Sequence, residues 1–346
     1  VILHATGVQA SLPSCRDQVR SYLHEADKVL RHVSKLGGTS VLITHPDGPL
    51  KHSSRSSKLT TDLHWEDVYS RPADHDPLSR AMIETPSVKP PRILVIRGGA
   101  IGDFILTLPV LAALRERFPQ AKIEVLGYPR IASLALSGGS AKAVHAIESP
   151  GLAMFFARGG SLDLEWRDFF GQFDIVISYL FDPDKFFETN VKSCGPRQFI
   201  AAQHRPDEDK AIHASDVFLK PLEQLTIFGG DPVARLELLG LGKRKNCLAL
   251  HPGSGSESKN WPEENWRELV GHLLDHSPQN LLFIGGEAEG DRLQRLANGM
   301  PSDRLEIAQH IPLPELAPRL AKGVGYVGHD TGVTHPASAV SYPPLP

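Results

Sequence analysis

Several features that would fix this protein's class at a glance are scarce or missing. There are only three cysteines in 346 residues, Cys15, Cys194 and Cys247. They are far apart and odd in number, which fits neither a disulfide framework nor a zinc site. No apolar run reaches the roughly 20 residues needed to cross a bilayer, and the first residues lack the basic and apolar blocks of a secretory signal. A cytoplasmic location is the resulting expectation. Charge of one sign is also missing: a net charge of −3 gives no ground for a nucleic-acid partner. What remains, 41% hydrophobic and 22% charged residues, is an ordinary globular composition long enough for two α/β domains with real cores.

The hydrophobic pattern divides the chain. From Ser14 an apolar face at Val19, Leu23, Leu30 and Val33 predicts a helix of about five turns, with Ser14 and Asp17 as its capping box. Gly37 and Gly38 end it, and Ser40 to Thr44 (SVLIT) reads as a short strand. Residues 45–91 turn polar and rich in Ser, His, Asp and Pro, closing on TPSVKPP, a stiff linker. His45, His52, His64 and His75 fall there at irregular spacing, which argues against a metal site. Beyond residue 90, strands are expected at Arg92–Arg97, Lys122–Leu126, Asp174–Ser178, Cys247–Leu250, Asn280–Ile284 and Gly325–Val327. Helices are expected from Ile105 through Arg117 and near 263–276, 288–298 and 314–322. This alternation predicts two parallel, helix-covered sheets with a cleft at their strand C-termini. The expected division is 1–90 as an N-terminal α/β extension with linker, 91–240 as one Rossmann-like domain and 241–346 as a second.

Four strand–glycine–helix junctions could carry chemistry. In RGGAIGDF (97–104), Gly99 and Gly102 let the backbone come close to a substrate, and Asp103 either takes a proton from a hydroxyl acceptor or caps the next helix. The glycine spacing is not that of a dinucleotide fingerprint. In HPGSGSESKNWP (251–262), Ser254, Gly255 and Ser256 can form a nest of N–H groups and Lys259 offers a point charge for phosphate; an ordinary solvated loop fits equally. GGEAEGDR (285–292) places Glu287 and Glu289 where a ribose hydroxyl or a helix start could use them. GHDTGVTHPASA (328–339) combines Asp330, Thr331 and Gly332 at a helix start, with His335 expected about one turn in, as ligand or as packing. Three such anion sites point jointly to a phosphorylated ligand.

These segments carry a family resemblance. RILVIRGGAIGDFILTLPVLAALRERFP is similar to the opening of glycosyltransferase family 9, where a strand leads into L-G-D and then L-T-x-P; Gly102, Asp103, Thr107 and Pro109 fall into register. LALHPGSGSESKNWP and VGHDTGVTHPASA resemble the later motifs of the same family, in the same order. The resemblance covers residues 92–346. It implies a GT-B architecture, with the acceptor on the first domain, on the loop of Gly99, Gly102 and Thr107, and the donor on the second. It further implies inverting transfer of heptose from ADP-heptose to the inner core of lipopolysaccharide or a related glycan, with no metal or other cofactor. Asp103 would be the general base. Lys259 would bind the donor phosphates; Ser254, Gly255, Glu289, Asp330, Thr331, Gly332 and His335 would complete the donor site. A lipid-linked acceptor would bring peripheral contact with the inner face of the cytoplasmic membrane.

The match has departures. Gly98 stands where the family often has a larger residue. Pro336 follows His335 inside the expected helix and restricts it. The chain ends at SYPPLP, where the family continues into another strand and a helix, so an incomplete enzyme with an unmatched sheet edge is expected. The segment HVSKLGGTSVLITHPDGPLKHS resembles a sugar-kinase-like unit but lacks the glycine-aspartate motif of phosphoryl transfer, and no activity is assigned to residues 1–90. Two other classes stay open: a non-catalytic, degenerate sugar-nucleotide binder, and a sugar-nucleotide epimerase or dehydrogenase. Against the latter stands the absence of G-x-G-x-x-G and of a Tyr and Lys paired at helical spacing.

Overall fold

Arg92–Arg97 shows why this chain builds parallel sheets. Its central residues Ile93, Leu94, Val95 and Ile96 are all at most 1% exposed, so the strand is covered on both faces, as a continuous apolar run requires. In a computed structural model, residues 2–5, 42–44 and 89–340, apart from 208, 244, 258 and 259, are described. The strands are β1 (Ile2–Ala5), β2 (Leu42–Thr44), β3 (Arg92–Arg97), β4 (Lys122–Gly127), β5 (Ala143–Ala146), β6 (Ile175–Ser178) and β7 (Gln198–Ala201). They continue as β8 (Cys247–His251), β9 (Asn280–Gly285), β10 (Leu305–Gln309) and β11 (Gly325–Gly328).

Two sheets result. The first has the order β5-β4-β3-β6-β7 and is parallel throughout. The second runs β10-β9-β8-β11-β1-β2; its first four strands are parallel, and β1 lies antiparallel along β11. In the first sheet, and over β8 to β11 of the second, the chain starts at a central strand, steps outward, then crosses to the other side. That reversal leaves a crevice at the strand C-termini, where open α/β sheets hold ligands. The expected strands are present, SVLIT shortened to Leu42–Thr44. Missing from the sequence reading were β1 and the sheet-edge strands β5, β7 and β10, which are short, incompletely buried and accordingly weak in hydrophobic signal. The helix expected from Ser14, most of the linker, the four histidines between 45 and 75, and SYPPLP lie outside the described residues.

The expected helices sit where periodicity put them, with three corrections, while Leu164–Gly171, Phe186–Ser193 and Ala214–Leu219 were not foreseen. Glu263–His276 buries Trp266, Leu269, Val270 and Leu273, one stripe at i, i+3, i+4 and i+7. The single helix expected from Ile105 to Arg117 is instead two, Ile101–Ile105 and Leu108–Arg117. Pro109 has no N–H to return to Ile105, so the first helix ends and the proline falls in the first turn of the second, where no donor is needed. The helix expected over 288–298 is a 3₁₀ turn, Glu287–Glu289, followed by Arg292–Ala297. The last helix starts at Thr334, so His335 is its second residue rather than one turn in. Pro336 is its third, again where a missing N–H costs nothing.

One apolar cluster runs through both sheets' flanks. Phe104, Ile105 and Leu108 belong to it together with Ala249, Ile284, Leu316, Ala337 and Val340. Leu236 donates its backbone N–H to the Ala339 carbonyl at 2.7 Å.

Candidate active site

The first wall of the site is the turn after β3. Gly99 has φ +97°, and a Cβ there would stand 2.5 Å from Oδ2 of Asp103, so both the backbone and the neighbouring carboxylate demand glycine. Asp103 is third in the helix Ile101–Ile105. Its Oδ2 accepts from the Ala100 N–H at 2.8 Å, and its Oδ1 lies 3.3 Å from the Arg97 guanidinium. The side chain is one-third exposed (33%), so the capping bond foreseen for Asp103 leaves an acceptor face open. Thr107 is turned inward. Its hydroxyl donates to the Asp103 carbonyl at 2.8 Å and closes the break between the two helices.

The second wall is a pair of loops tied by a buried imidazole. His329 Nε2 accepts from the Trp261 N–H at 2.7 Å. Nδ1 must then carry the proton, which it donates to the Gly253 carbonyl at 3.2 Å. Burial holds His329 below the ordinary histidine range, consistent with this neutral form. Thr334 Oγ1 donates to the His329 carbonyl at 2.6 Å, while Tyr326 and the Thr331 N–H lie 3.3 and 3.4 Å from the same oxygen. Thr331 Oγ1 reaches His251 Nδ1 at 3.3 Å. His251 is pushed down to about 4 by burial, against the pull of Glu289. Glu289 is buried: its carboxylate accepts from the Gly286 N–H at 2.5 Å and faces His251 Nε2 at 3.5 Å. That is the helix-start reading of Glu289. The exposed Glu287 instead lines the cleft. Ser254 closes its own loop by donating to the Ser256 carbonyl at 2.7 Å. Gly255 is exposed, with nothing within 4 Å of a Cβ. Lys259 lies outside the described residues.

The two walls meet. A Cβ on Gly102 would fall 2.6 Å from His335 Nε2, and one on Gly332 would fall 3.1 Å from Ile101. The His335 imidazole is held below its ordinary value by burial, opposed by the charges of Asp330 and Asp103. So Gly102 and Asp103 of the first half stand against Asp330, Gly332 and His335 of the second. Beside this contact opens a cavity of about 630 Å³, lined by Gly99, Ile101, Tyr128 and Arg130 on one side and by the Gly285–Glu287 turn, His310, Leu316 and Val333 on the other. Reasoning from sequence missed Tyr128 and Arg130, whose position directly after β4 was the available signal. Arg97 was missed too. Among the described residues no group of three or more His, Cys, Asp or Glu is placed to hold a metal ion.

The family model for glycosyltransferase family 9 (heptosyltransferase) matches residues 213–345. Lipopolysaccharide heptosyltransferase 3 of Escherichia coli K12 is 24% identical over 272 residues, 70% of this chain and 78% of that protein. Over residues 213–345 the chain is thus similar to glycosyltransferase family 9. Lipopolysaccharide heptosyltransferase 1 of the same strain is 37% identical over 87 residues, so that the match spans 25% of this chain and 27% of that protein. Among solved structures, a family 9 glycosyltransferase from Veillonella parvula superposes with a TM-score of 0.57 at 18% identity, covering 72% of this chain and 79% of that one. The E. coli heptosyltransferase WaaC with ADP-2-deoxy-2-fluoro heptose does so with a TM-score of 0.56 at 21% identity, covering 72% and 85%. The fold is therefore GT-B, as the motifs implied.

Proposed function

We propose that this protein is an inverting glycosyltransferase that moves heptose from ADP-heptose to a lipopolysaccharide core or related glycan. The observation that carries the reading is the meeting of Asp103 with Asp330, Gly332 and His335 beside a cavity large enough for a nucleotide sugar. The nucleoside lies in the cavity against Ile284, Ala308 and Leu316, with Glu287 accepting from ribose hydroxyls. The diphosphate rests on backbone donors near Thr331 and on Lys259. Asp103 accepts the proton of the acceptor hydroxyl as its oxygen attacks the anomeric carbon, and the nucleoside diphosphate leaves from the opposite face. The acceptor approaches over the Gly99–Thr107 turn, and a lipid-linked acceptor brings the protein to a membrane surface. Among the described residues no helix is long and apolar enough to cross one.

A thermal-shift series with ADP-, UDP-, GDP- and CMP-sugars tests the donor. At 100 times its dissociation constant the true donor adds about 2.7 kcal/mol to the fold, and absence of any shift overturns the nucleotide-sugar site. Lys259→Ala is expected to weaken binding of the responding nucleotide in calorimetry. An unchanged Kd removes Lys259 from the phosphate role. Binding without release of nucleoside diphosphate, across a panel of glycan acceptors, would instead indicate a non-catalytic binder.

A further inference from the structure

Arg97, the last residue of β3, is only 3% exposed. A guanidinium so placed is costly unless its donors are satisfied and its charge is met. Both conditions hold here, and half of the means are Asp103. Nε donates to the Asp103 backbone carbonyl at 3.2 Å, and one terminal nitrogen reaches Asp103 Oδ1 at 3.3 Å. The other terminal nitrogen donates to the carbonyl of His204 at 2.8 Å and lies 3.5 Å from that of Tyr179. The flat face sits 4.4 Å from the Phe218 ring centroid, and Tyr179 is fastened to the same place by its hydroxyl, which donates to the Phe218 carbonyl at 2.6 Å. The fork is thus immobilised by the floor of the first domain and grips Asp103 at two points.

The Asp103 carboxylate is consequently held from both sides: Oδ2 by the Ala100 N–H, Oδ1 by Arg97. We infer that Arg97 is a positioning residue that fixes the rotamer of the Asp103 carboxylate and the setting of its helix, so that the open acceptor face meets the incoming hydroxyl. The inference rests on the reading of Asp103 as general base. Arg97 touches no reacting atom. Its effect on turnover is expected to pass through Asp103, while its bonds to the His204 and Tyr179 carbonyls bear on folding; the comparison of backgrounds below separates the two.

The test is a double-mutant cycle in the whole protein, with Arg97→Met, Asp103→Asn and the pair, reading kcat, donor KM and the Kd of ADP. Arg97→Met is expected to lower kcat by between about tenfold and a hundredfold, the scale of a small misplacement of a reacting group, with the ADP Kd changed less than about twofold. In the Asp103→Asn background the same substitution is expected to cost almost nothing further, because the group it positions is gone. Arg97→Lys keeps the charge but not the fork; it is expected to fold like the parent and to fall between parent and Arg97→Met in kcat, and it carries the cycle if the methionine variant does not fold. Equal losses in both backgrounds, or a loss confined to KM and the ADP Kd, would overturn the proposal. Parental turnover in Asp103→Asn is a different result and would remove the general-base reading itself.

Discussion

At the scale of single residues, two positions are decided by what lies opposite them. Asp103 keeps an exposed acceptor face at the meeting of the two walls. Asp103→Ala is expected to cut turnover at least a hundredfold, the lower end of what a general base supplies, while donor affinity in calorimetry stays near that of the parent; undiminished turnover would refute the assignment. Gly253 has a structural burden. A Cβ there would stand 2.3 Å from Oε1 of the buried Glu289, which is pinned by Gly286 and has no room to withdraw. Gly253→Ala should therefore lower stability by about 1–3 kcal/mol, the usual range for overpacking, read as a shift in the urea midpoint at constant slope.

At the scale of elements, the loop after β8 and the loop after β11 behave as one object because His329 bridges them. Replacing it by leucine leaves the buried Trp261 N–H and Gly253 carbonyl without their partner, each worth about 1–3 kcal/mol when orphaned. The expected outcome is faster hydrogen exchange of the Trp261 amide together with weaker nucleotide binding, since both loops flank the proposed diphosphate position. Unaltered exchange at Trp261 would show that the bridge is not what orders the loop. The break at Leu106–Thr107 has a comparable logic. It follows from one proline, and it lets a short helix end the β3 turn and aim Asp103 independently of the longer helix behind it.

For the whole molecule, the buried histidines set a pH dependence. His251 and His329 are both held below the ordinary histidine value, chiefly by burial. The unfolded chain therefore binds protons that the folded state refuses. Stability from these groups is complete above the unfolded value of about 6.5 and is lost as pH falls from there toward about 4, the position of His251. The melting temperature should drop between pH 7 and pH 5, and the drop should shrink in His251→Gln. A flat profile across that range would contradict the buried neutral state.

Much of this protein could be read from the chain because local rules act over short spans. RILVIR had to be a covered strand, the glycines had to end strands and turn the chain, and three ordered motifs resembled those of one family around Asp103, Thr331 and His335. Those inferences depend on periodicity and on backbone geometry, which neighbouring residues alone impose. The roles of Glu289, Arg97, Tyr128 and Arg130 were different. Whether Glu289 faces a ligand or the interior, and whether an arginine at a strand end is solvated or becomes the clamp of a carboxylate, depends on groups up to about a hundred residues away. Only the tertiary assembly of the first half brings His204, Tyr179 and Phe218 around one guanidinium, and only the meeting of the two halves sets Gly102 against His335. Burial and charge pairing are properties of that assembled space, and no local pattern encodes them.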